Sequence, residues 1–394
     1  MASFRQSALA LTATLSLAYA WLPSTTPLRG VNLGGQFIVE PWMMESEWST
    51  MGCSGQADEW SCVQSLGQHK ADAAFQSHWG RWITQSDFED MHNYGLNTVR
   101  IPTGYWMKED LVKDGEYFPR GGLEYLLKVC GWAADQGIYV ILEQHAAPGA
   151  QANSNSFTGH STTAGFYTSE NYDRGVEYVA WLANLTYNHN EMRTVGTIGV
   201  LNEPLNWDNK VSTLVTDFYP AAYKAIRAVE PSGGNPLHIQ FMGSKWGSGS
   251  PESSLPSGYT DVSFEDHRYL KWDTSVSVTQ DEYIQTSCTS DRTAAGEDPT
   301  YVTEWSLSPP DDVESTDGWS KGSQKEFYGN WFAAQVQGFE KSAKGWTFWT
   351  WKSTLGDYRW SYQGAVTAGV APKDLDSLAS STVSRTGFEI MTGL

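Results

Sequence analysis

Short runs of apolar and β-branched residues alternate along the chain with longer segments whose apolar positions repeat at helical spacing. Runs of the first kind are typical of buried strands, and their alternation with helical segments predicts parallel βα units. Eight runs are candidate strands: Gly30–Leu33, Thr98–Ile101, Tyr139–Leu142, Thr197–Leu201, Leu237–Met242, Val262–Phe264, Tyr301–Thr303 and Trp346–Phe348. Eight is the number of parallel strands that closes a TIM barrel.

The segments between these runs carry helix signals. Ser86 and Glu89 form a capping-box pattern that predicts the start of a short helix, and Gly95 predicts its end. Leu123 to Gln136 has apolar residues at helical spacing and is followed by a glycine. Three more helices are predicted on the same grounds: Asn171–Tyr187, Ser212–Val229 and Gln324–Ala343.

An open doubly wound sheet is the competing α/β architecture. Such sheets carry a G-x-G-x-x-G phosphate loop after the first strand, and the segment Gly30–Gly35 lacks that spacing. No low-complexity linker, repeat or charge block divides residues 21–394. We therefore predict a single α/β domain over residues 21–394, a (β/α)8 TIM barrel with its chemistry at the C-terminal ends of the strands.

Residues 1–20 have the features of a secretory signal peptide. Arg5 supplies a positive charge, Ala8 to Leu17 form a short apolar run, and Ala18 to Ala20 match a small-x-small cleavage pattern. The run is shorter than the roughly 20 apolar residues that cross a bilayer. We expect these residues to be removed and the mature protein to be secreted, either free outside the cell or associated with a cell wall.

The composition bears on the partner. Of the 394 residues 40% are hydrophobic and 18% charged, which is enough for a large core. Aromatic residues make up 13%, including 19 tryptophans, whose rings either stack on sugars or fill the core. The formal net charge of −19 argues against nucleic acid and anionic membranes as partners, whereas a neutral polysaccharide is not repelled.

Two kinds of covalent modification are suggested. Four cysteines allow three disulfide pairings. Cys53 and Cys62 are close enough in sequence for a local bridge, which leaves Cys130 and Cys288 as a long-range pair, bridged or reduced. Asn184 begins an Asn-Leu-Thr sequon and is a candidate glycosylation site.

The fourth and seventh predicted strands are followed by glutamates, Glu203 and Glu304. A carboxylate is costly to bury without a partner, so either an ion pair or a function must account for each one. Strands four and seven lie nearly opposite across the mouth of a closed barrel, so the two side chains can approach each other. Glycoside hydrolysis requires such a pair, and a separation of about 5–5.5 Å is typical of the retaining mechanism.

Neighbouring polar residues fit the same chemistry. Asn202 can bind a sugar hydroxyl beside Glu203, while Arg100 and Tyr269 can donate hydrogen bonds to Glu304 and keep it ionised.

Other reaction classes fit the sequence less well. His145 and His267 are individually weak signals, and the glutamates and histidines lack the spacing of paired metal ligands, so no metal and no cofactor is expected. The single G-x-S-x-G match in the sequence, Gly318–Gly322, does not directly follow a predicted strand as a nucleophile elbow does, which argues against a serine hydrolase.

Specific motifs follow one another from about residue 29 to the end of the chain. They are Arg29–Gly35, Glu40-Pro41-Trp42, Gly95–Pro102, Gly104-Tyr105-Trp106, His145 before Ala147-Pro148-Gly149, Asn202-Glu203-Pro204, His267-Arg268-Tyr269, Glu304-Trp305-Ser306 and Gly345–Lys352. In this order they resemble the fungal β-glucanases of glycoside hydrolase family 5.

The resemblance implies roles for individual residues. It implies a retaining double displacement with Glu203 as acid/base and Glu304 as nucleophile. Glu40 falls where relatives contact the bound sugar. Six further residues fall on the positions that surround the sugar in subsite −1: Arg100, His145, Asn202, His267, Tyr269 and Trp349.

Two fungal branches of the family compete, the exo-β-1,3-glucosidases and the endo-β-1,6-glucanases. Where the exo branch carries a Phe-Asp pair that walls its pocket, this chain reads Gln151–Phe157, which predicts a more open cleft. It also has Glu143 where relatives usually carry aspartate. Four segments resemble the endo branch: Trp21-Leu22-Pro23, Gln36–Met43, Ser49–Cys53 and Trp106–Val112.

We therefore expect a secreted retaining endo-hydrolase of β-1,6-glucan that acts as a monomer on a polysaccharide, with neither nucleic acid nor membrane as a partner. Exo-hydrolysis of β-1,3-glucan is the alternative activity. A non-catalytic glucan-binding wall protein is a further alternative, and the presence of both glutamates argues against it.

Overall fold

The computed structural model describes residues 27–206, 211–292 and 296–380. The predicted signal peptide, residues 1–20, and the segment Trp21–Pro23 lie outside the described residues.

The strands form a closed barrel in which neighbours in sequence are neighbours in space, and β8 pairs with β1. All the pairings are parallel. The strands are β1 (Leu28–Asn32), β2 (Thr98–Gly104), β3 (Tyr139–Ala146), β4 (Val195–Gly199), β5 (His238–Met242), β6 (Val262–Arg268), β7 (Thr300–Trp305) and β8 (Gly345–Phe348). Each overlaps a predicted strand, so the prediction of a single (β/α)8 barrel is confirmed.

Helices surround the barrel. Those in the described ranges are α1 (Glu45–Thr50), α2 (Glu59–Leu66), α3 (Gln68–Trp79), α4 (Gln85–Asn93), α5 (Gly122–Asp135), α6 (Ser169–Asn188), α7 (Val211–Thr213), α8 (Tyr219–Val229), α9 (Gln280–Thr289), α10 (Lys325–Ser342) and α11 (Tyr362–Ala368). A π-helical turn, Leu214–Phe218, joins α7 to α8. Within the described ranges, no helix is both long and apolar enough to cross a bilayer.

The predicted capping box at Ser86 is wrong by two residues. The N-cap of α4 is Thr84, whose backbone N–H donates to Asp87 Oδ2 at 2.8 Å. Asp87 also accepts hydrogen bonds from Trp351 and Lys352, so contacts with the β8 loop fix where the helix begins.

Strand ends differ from the prediction where the chain is polar. His145 lies within β3 and not just past it, because β3 extends to Ala146. In the same way β6 continues through Glu265 and His267. By contrast β4 ends at Gly199, so Glu203 lies on the loop that follows. Polar residues continue β3 and β6 because their side chains pair with other polar groups at the mouth of the barrel.

The interior of the barrel changes character along the strands. Successive inward positions on one strand are two residues apart. At the N-terminal end Tyr139 and Ile141 of β3 join a small apolar cluster with Leu28 and Tyr301. Two residues further along β3, Glu143 is fully buried in the upper interior.

The cysteines form one bridge. Cys53 and Cys62 are disulfide-bonded, as expected for the local pair. Cys130 and Cys288, which the sequence left as bridged or reduced, are both free. They lie on α5 and α9, which follow β2 and β6 and therefore stand on opposite sides of the barrel. Asn184 of the sequon is exposed on α6.

Candidate active site

A cleft of about 610 Å³ crosses the C-terminal mouth of the barrel. Its walls come from loops that follow β1, β3, β4, β6, β7 and β8. The lining residues are Glu40, Trp42, His145, Asn155, Phe157, Asn202, Glu203, Tyr269, Lys271, Trp272, Glu304, Asp311, Glu314, Trp349, Leu355, Asp357 and Trp360. A larger cavity of about 1200 Å³, bordered by α9 and α10, contains none of the predicted site residues.

Glu203 and Glu304 face each other across this cleft with His267 between them. Nδ1 of His267 lies 2.7 Å from Oε1 of Glu203 and 3.5 Å from Oε2 of Glu304. One oxygen of each carboxylate and one ring nitrogen of the histidine lie within 4.8 Å of one another. The two carboxylates are therefore close enough to act on a single glycosidic bond.

Arg100 lies under the cleft and is fully buried. Its Nη1 donates to Glu304 at 2.8 Å, and its Nη2 donates to Asn202 at 3.0 Å. On the other side of Glu304 the hydroxyl of Tyr269 donates to Oε2 at 2.9 Å. Both oxygens of Glu304 thus accept a hydrogen bond, and the carboxylate is held in one orientation.

Two further carboxylates neutralise the positive groups beneath the site. Glu143 Oε2 and Glu265 Oε2 lie 3.0 Å and 3.3 Å from Nη2 of Arg100. Glu143 also contacts Nδ1 of His145, two residues along the same strand. A Cβ added to Gly199 would lie 2.6 Å from the Cβ of Glu143, so the glycine on β4 makes room for the glutamate.

The charges shift several pKa values. Burial raises the pKa of Glu304, and Glu203 adds to this effect, while His267 and Arg100 oppose it. Burial also opposes the protonation of His267, yet Glu304 and Glu203 raise its pKa to about 10. Burial of Glu265 is outweighed by Arg100 and His267, which lower its pKa to about 2.

The same groups have the geometry of a possible metal site. Glu203, His267 and Glu304 each offer one ligand atom. The 2.7 Å contact between Nδ1 of His267 and Oε1 of Glu203 is explained by a hydrogen bond, so the geometry does not require a metal.

One wall of the cleft combines a carboxylate with stacked rings. The rings of His145 and Trp349 lie parallel with their centroids 5.6 Å apart. Glu40 is buried and accepts a hydrogen bond from Nε1 of Trp42 at 2.9 Å. Burial raises the pKa of Glu40 to about 7, although His145 and Trp42 partly oppose the shift.

Tryptophans from three different loops form a second wall. Trp360 contacts Trp42 at a centroid distance of 5.2 Å and Trp272 at 6.3 Å. Trp272 is 62% exposed and Trp42 is 45% exposed. Lys271, next to Trp272, donates to the carbonyl of Pro309 at 2.9 Å and so ties the β6 loop to the β7 loop. This aromatic wall offers flat apolar faces to a sugar chain.

The structure brings all the residues predicted for the site to the mouth of the barrel. They are Glu40, Arg100, His145, Asn202, Glu203, His267, Tyr269, Glu304 and Trp349. Sequence reasoning missed Glu265, Lys271, Trp272 and Trp360. A signal for Glu265 exists in the sequence, because the pattern Glu-x-His occurs on both β3 and β6 and places both side chains on one face of a strand.

Known proteins resemble this chain in sequence and in fold. Residues 63–354 match the family described as Cellulase (glycosyl hydrolase family 5). Glucan endo-1,6-beta-glucosidase B of Emericella nidulans is 52% identical over 364 residues, which cover 91% of this chain and 88% of that protein. Glucan 1,3-beta-glucosidase of Blumeria graminis is 29% identical, with 89% of this chain and 88% of that protein covered.

Among solved structures, rutinosidase from Aspergillus niger superposes with a TM-score of 0.68 at 19% identity, over 88% of this chain and 98% of that one. At that identity the likeness bears on the fold alone. The family match covers well over half of the chain and includes the two facing glutamates. This protein belongs to glycosyl hydrolase family 5 and is a glycoside hydrolase.

Proposed function

We propose that this enzyme is a secreted, retaining endo-hydrolase of β-1,6-glucan in which Glu203 is the acid/base and Glu304 the nucleophile. The observation that carries the catalytic assignment is the approach of the two carboxylates, with one oxygen of each within 4.8 Å. That separation suits direct attack by a carboxylate, whereas inverting enzymes hold their carboxyl groups about 6.5–9.5 Å apart to admit a water molecule.

The contacts of the two glutamates support these roles. Glu304 accepts hydrogen bonds from Arg100 and Tyr269, which favour its ionised form and aim one oxygen into the cleft. In the first step Glu304 attacks the anomeric carbon, while Glu203 protonates the departing glycosidic oxygen. A covalent glycosyl-enzyme forms, and the remainder of the polymer leaves.

In the second step Glu203 has lost its proton and acts as a base. It takes a proton from water, which attacks the same anomeric carbon and releases Glu304. Nδ1 of His267 lies 2.7 Å from Oε1 of Glu203 and can hold this carboxylate in position as it accepts the proton. Two displacements restore the original configuration.

The choice of linkage is supported by relatedness. The relative named glucan endo-1,6-beta-glucosidase B is 52% identical, and the relative named glucan 1,3-beta-glucosidase is 29% identical. Asn155 and Phe157 of the β3 loop line the cleft at the place where the sequence lacks the Phe-Asp pair of the exo branch.

Secretion is supported by residues 1–20 and by the disulfide between Cys53 and Cys62, since such bonds form and persist in oxidising compartments. The exposure of Asn184 makes its sequon accessible for glycosylation. We propose that the mature enzyme is a monomer.

Product analysis on linear β-1,6-glucan and on β-1,3-glucan, run side by side, tests the proposal. The expected result is a ladder of short oligosaccharides from the β-1,6 polymer and no release from the β-1,3 polymer. Glucose alone released from β-1,3-glucan would overturn the linkage and the endo action. Binding of glucan without any turnover would favour a non-catalytic wall protein. Proton NMR of the first-formed products reports whether the β configuration is retained.

A further inference from the structure

The backbone of Glu203 has a conformation that side-chain-bearing residues rarely adopt. Its φ is +38°, in the left-handed region. A residue held there costs on the order of 1–3 kcal/mol and persists only when its surroundings fix it. Glu203 also lies beyond the end of β4, so the barrel ladder does not hold it directly. Other contacts must keep it in place.

Gln151, on the loop after β3, supplies the first of these contacts. Its side chain is fully buried. Its Nε2 donates to the carbonyl of Asn202 at 2.9 Å and to that of His145 at 2.6 Å, while its Oε1 accepts from the backbone N–H of Ala147 at 3.1 Å. One amide therefore joins the end of β3 to the residue before Glu203.

The residues after Glu203 are fixed from the same side. The N–H of Leu205 donates to the hydroxyl of Tyr167 at 2.6 Å and to the backbone carbonyl of Gln151 at 3.2 Å. The Tyr167 hydroxyl in turn donates to that same carbonyl at 2.7 Å. On the other side Nε1 of Trp246 donates to the carbonyl of Pro204 at 2.7 Å.

We propose that Gln151, Tyr167 and Trp246 form an acid/base clamp: three positioning residues that hold Glu203 in its left-handed conformation and so aim its carboxyl at the leaving oxygen. They bind the backbone on both sides of Glu203. The inference rests on the proposed function, because it assigns the clamp to the acid/base step of that reaction.

The nucleophile does not depend on such a clamp. Glu304 lies within β7, and both its oxygens accept hydrogen bonds from Arg100 and Tyr269. Glu203 is on a loop, and its side chain is 18% exposed and contacts His267. Loosening the clamp should therefore displace the acid/base and leave the nucleophile in position.

The test compares Gln151→Leu with Gln36→Leu. Gln36 is an equally buried glutamine whose amide binds the backbone of Trp79 and Ile83, away from Glu203, so it controls for the loss of a buried amide. The substrates are two aryl β-gentiobiosides, one with 2,4-dinitrophenolate as the leaving group and one with phenolate. The first leaving group departs without a proton, whereas the second needs the acid.

For Gln151→Leu we expect kcat/KM to fall about 10- to 100-fold with the phenyl substrate and less than about threefold with the dinitrophenyl substrate, since general acid catalysis contributes about 10²–10⁴-fold. Gln36→Leu should change kcat/KM by the same factor for both substrates. Equal losses with both substrates for Gln151→Leu would overturn the inference.

Tyr167→Phe keeps the aromatic ring and removes one hydroxyl, so it stays informative if Gln151→Leu does not fold. In Tyr167→Phe, kcat/KM should again fall more with the phenyl than with the dinitrophenyl substrate, although by a smaller factor. A ratio of the two kcat/KM values equal to that of the wild type would also overturn the inference. A wild-type enzyme that hydrolyses neither gentiobioside nor β-1,6-glucan would refute the proposed function. If the wild type hydrolyses both substrates but the variants lose kcat/KM equally with the two leaving groups, only the clamp is refuted.

Discussion

The two ends of the barrel interior are built from the same strands but are stabilised by different forces. At the N-terminal end Tyr139, Ile141 and their neighbours Leu28 and Tyr301 pack as an apolar cluster. Two residues further along β3, Glu143 takes part in a buried network of charges centred on Arg100. Along β3 the barrel interior thus changes from apolar packing at Ile141 to paired charges at Glu143, which is the next residue on the same face of the strand.

This difference separates stability from chemistry. Apolar packing depends on volume and tolerates small changes at a modest cost. A buried charge network is stable only while each charge keeps its partner, and removing one partner leaves the others desolvated. Substitutions at the base should therefore affect unfolding alone. At the mouth, loss of the cation should destabilise the fold, whereas loss of a buried carboxyl group whose pKa is raised should not.

The largest effect is expected for Glu304→Gln. Loss of the nucleophile should lower kcat by about 10⁴-fold or more, because single members of a catalytic unit can each cost that much. Burial raises the pKa of Glu304, so its neutral replacement should not lower the melting temperature. Steady-state kinetics on β-1,6-glucan and thermal unfolding measure the two quantities. Activity within about 100-fold of the parent would contradict the role.

Arg100→Met should lower both the turnover number and the stability of the fold. It leaves Glu143, Glu265 and Glu304 without their shared cation, so the free energy of unfolding should fall by about 3–5 kcal/mol at pH 7. The wild type gains this stabilisation above the ordinary pKa of Glu265, 4.5, and loses it as the pH falls through about 2. Denaturant unfolding should therefore show that the difference in the free energy of unfolding between wild type and variant becomes smaller from pH 7 to pH 2. A difference independent of pH would indicate that packing and not charge is lost.

Glu40→Gln should stabilise the fold in a pH-dependent way. Burial raises the pKa of Glu40 to about 7, so the folded protein holds a proton that the unfolded chain has released. The stabilisation from that proton is complete below about 4.5 and is lost as the pH rises to about 7. The variant should match the wild type at pH 4 and exceed it by up to about 3 kcal/mol at pH 8. Equal gains at both pH values would rule out ionisation as the cause.

The smallest effect is expected at the base of the barrel. Ile141→Val should cost about 0.5–1.5 kcal/mol through one lost methylene in the apolar cluster. Its kcat/KM per folded molecule should equal that of the parent. Denaturant unfolding and steady-state kinetics on one preparation test both statements, and a kinetic change larger than twofold would show that base and mouth are coupled.

The sequence predicts most of the barrel because the strands are local apolar runs. It also predicts Glu203 and Glu304, because carboxylates that follow buried strands need an explanation. The prediction misses the extension of β6 through Glu265, since a polar segment has no apolar signal to mark it as strand. That segment is stabilised by Arg100 and Thr303, which are distant in sequence.

Contacts between loops are hardest to predict. Trp272 and Trp360 are 88 residues apart in number and meet only because the β6 and β8 loops lie at the same end of the barrel. The sequence left open whether Cys130 and Cys288 form a bridge, and the barrel separates them for the converse reason. Counting cysteines ignores the barrel, which places the helices after β2 and β6 on opposite sides.

The aromatic wall also makes the cleft visible to spectroscopy. Of the 19 tryptophans in the sequence, Trp42 and Trp272 are the two in the described part of the chain that are exposed, and both lie at the rim of the cleft. An indole in water emits at longer wavelength than one covered by a ligand. A glucan chain laid on this wall should therefore shift the emission maximum of the inactive Glu304→Gln variant to shorter wavelength. Intrinsic fluorescence can thus report occupancy of the cleft without a label and without turnover.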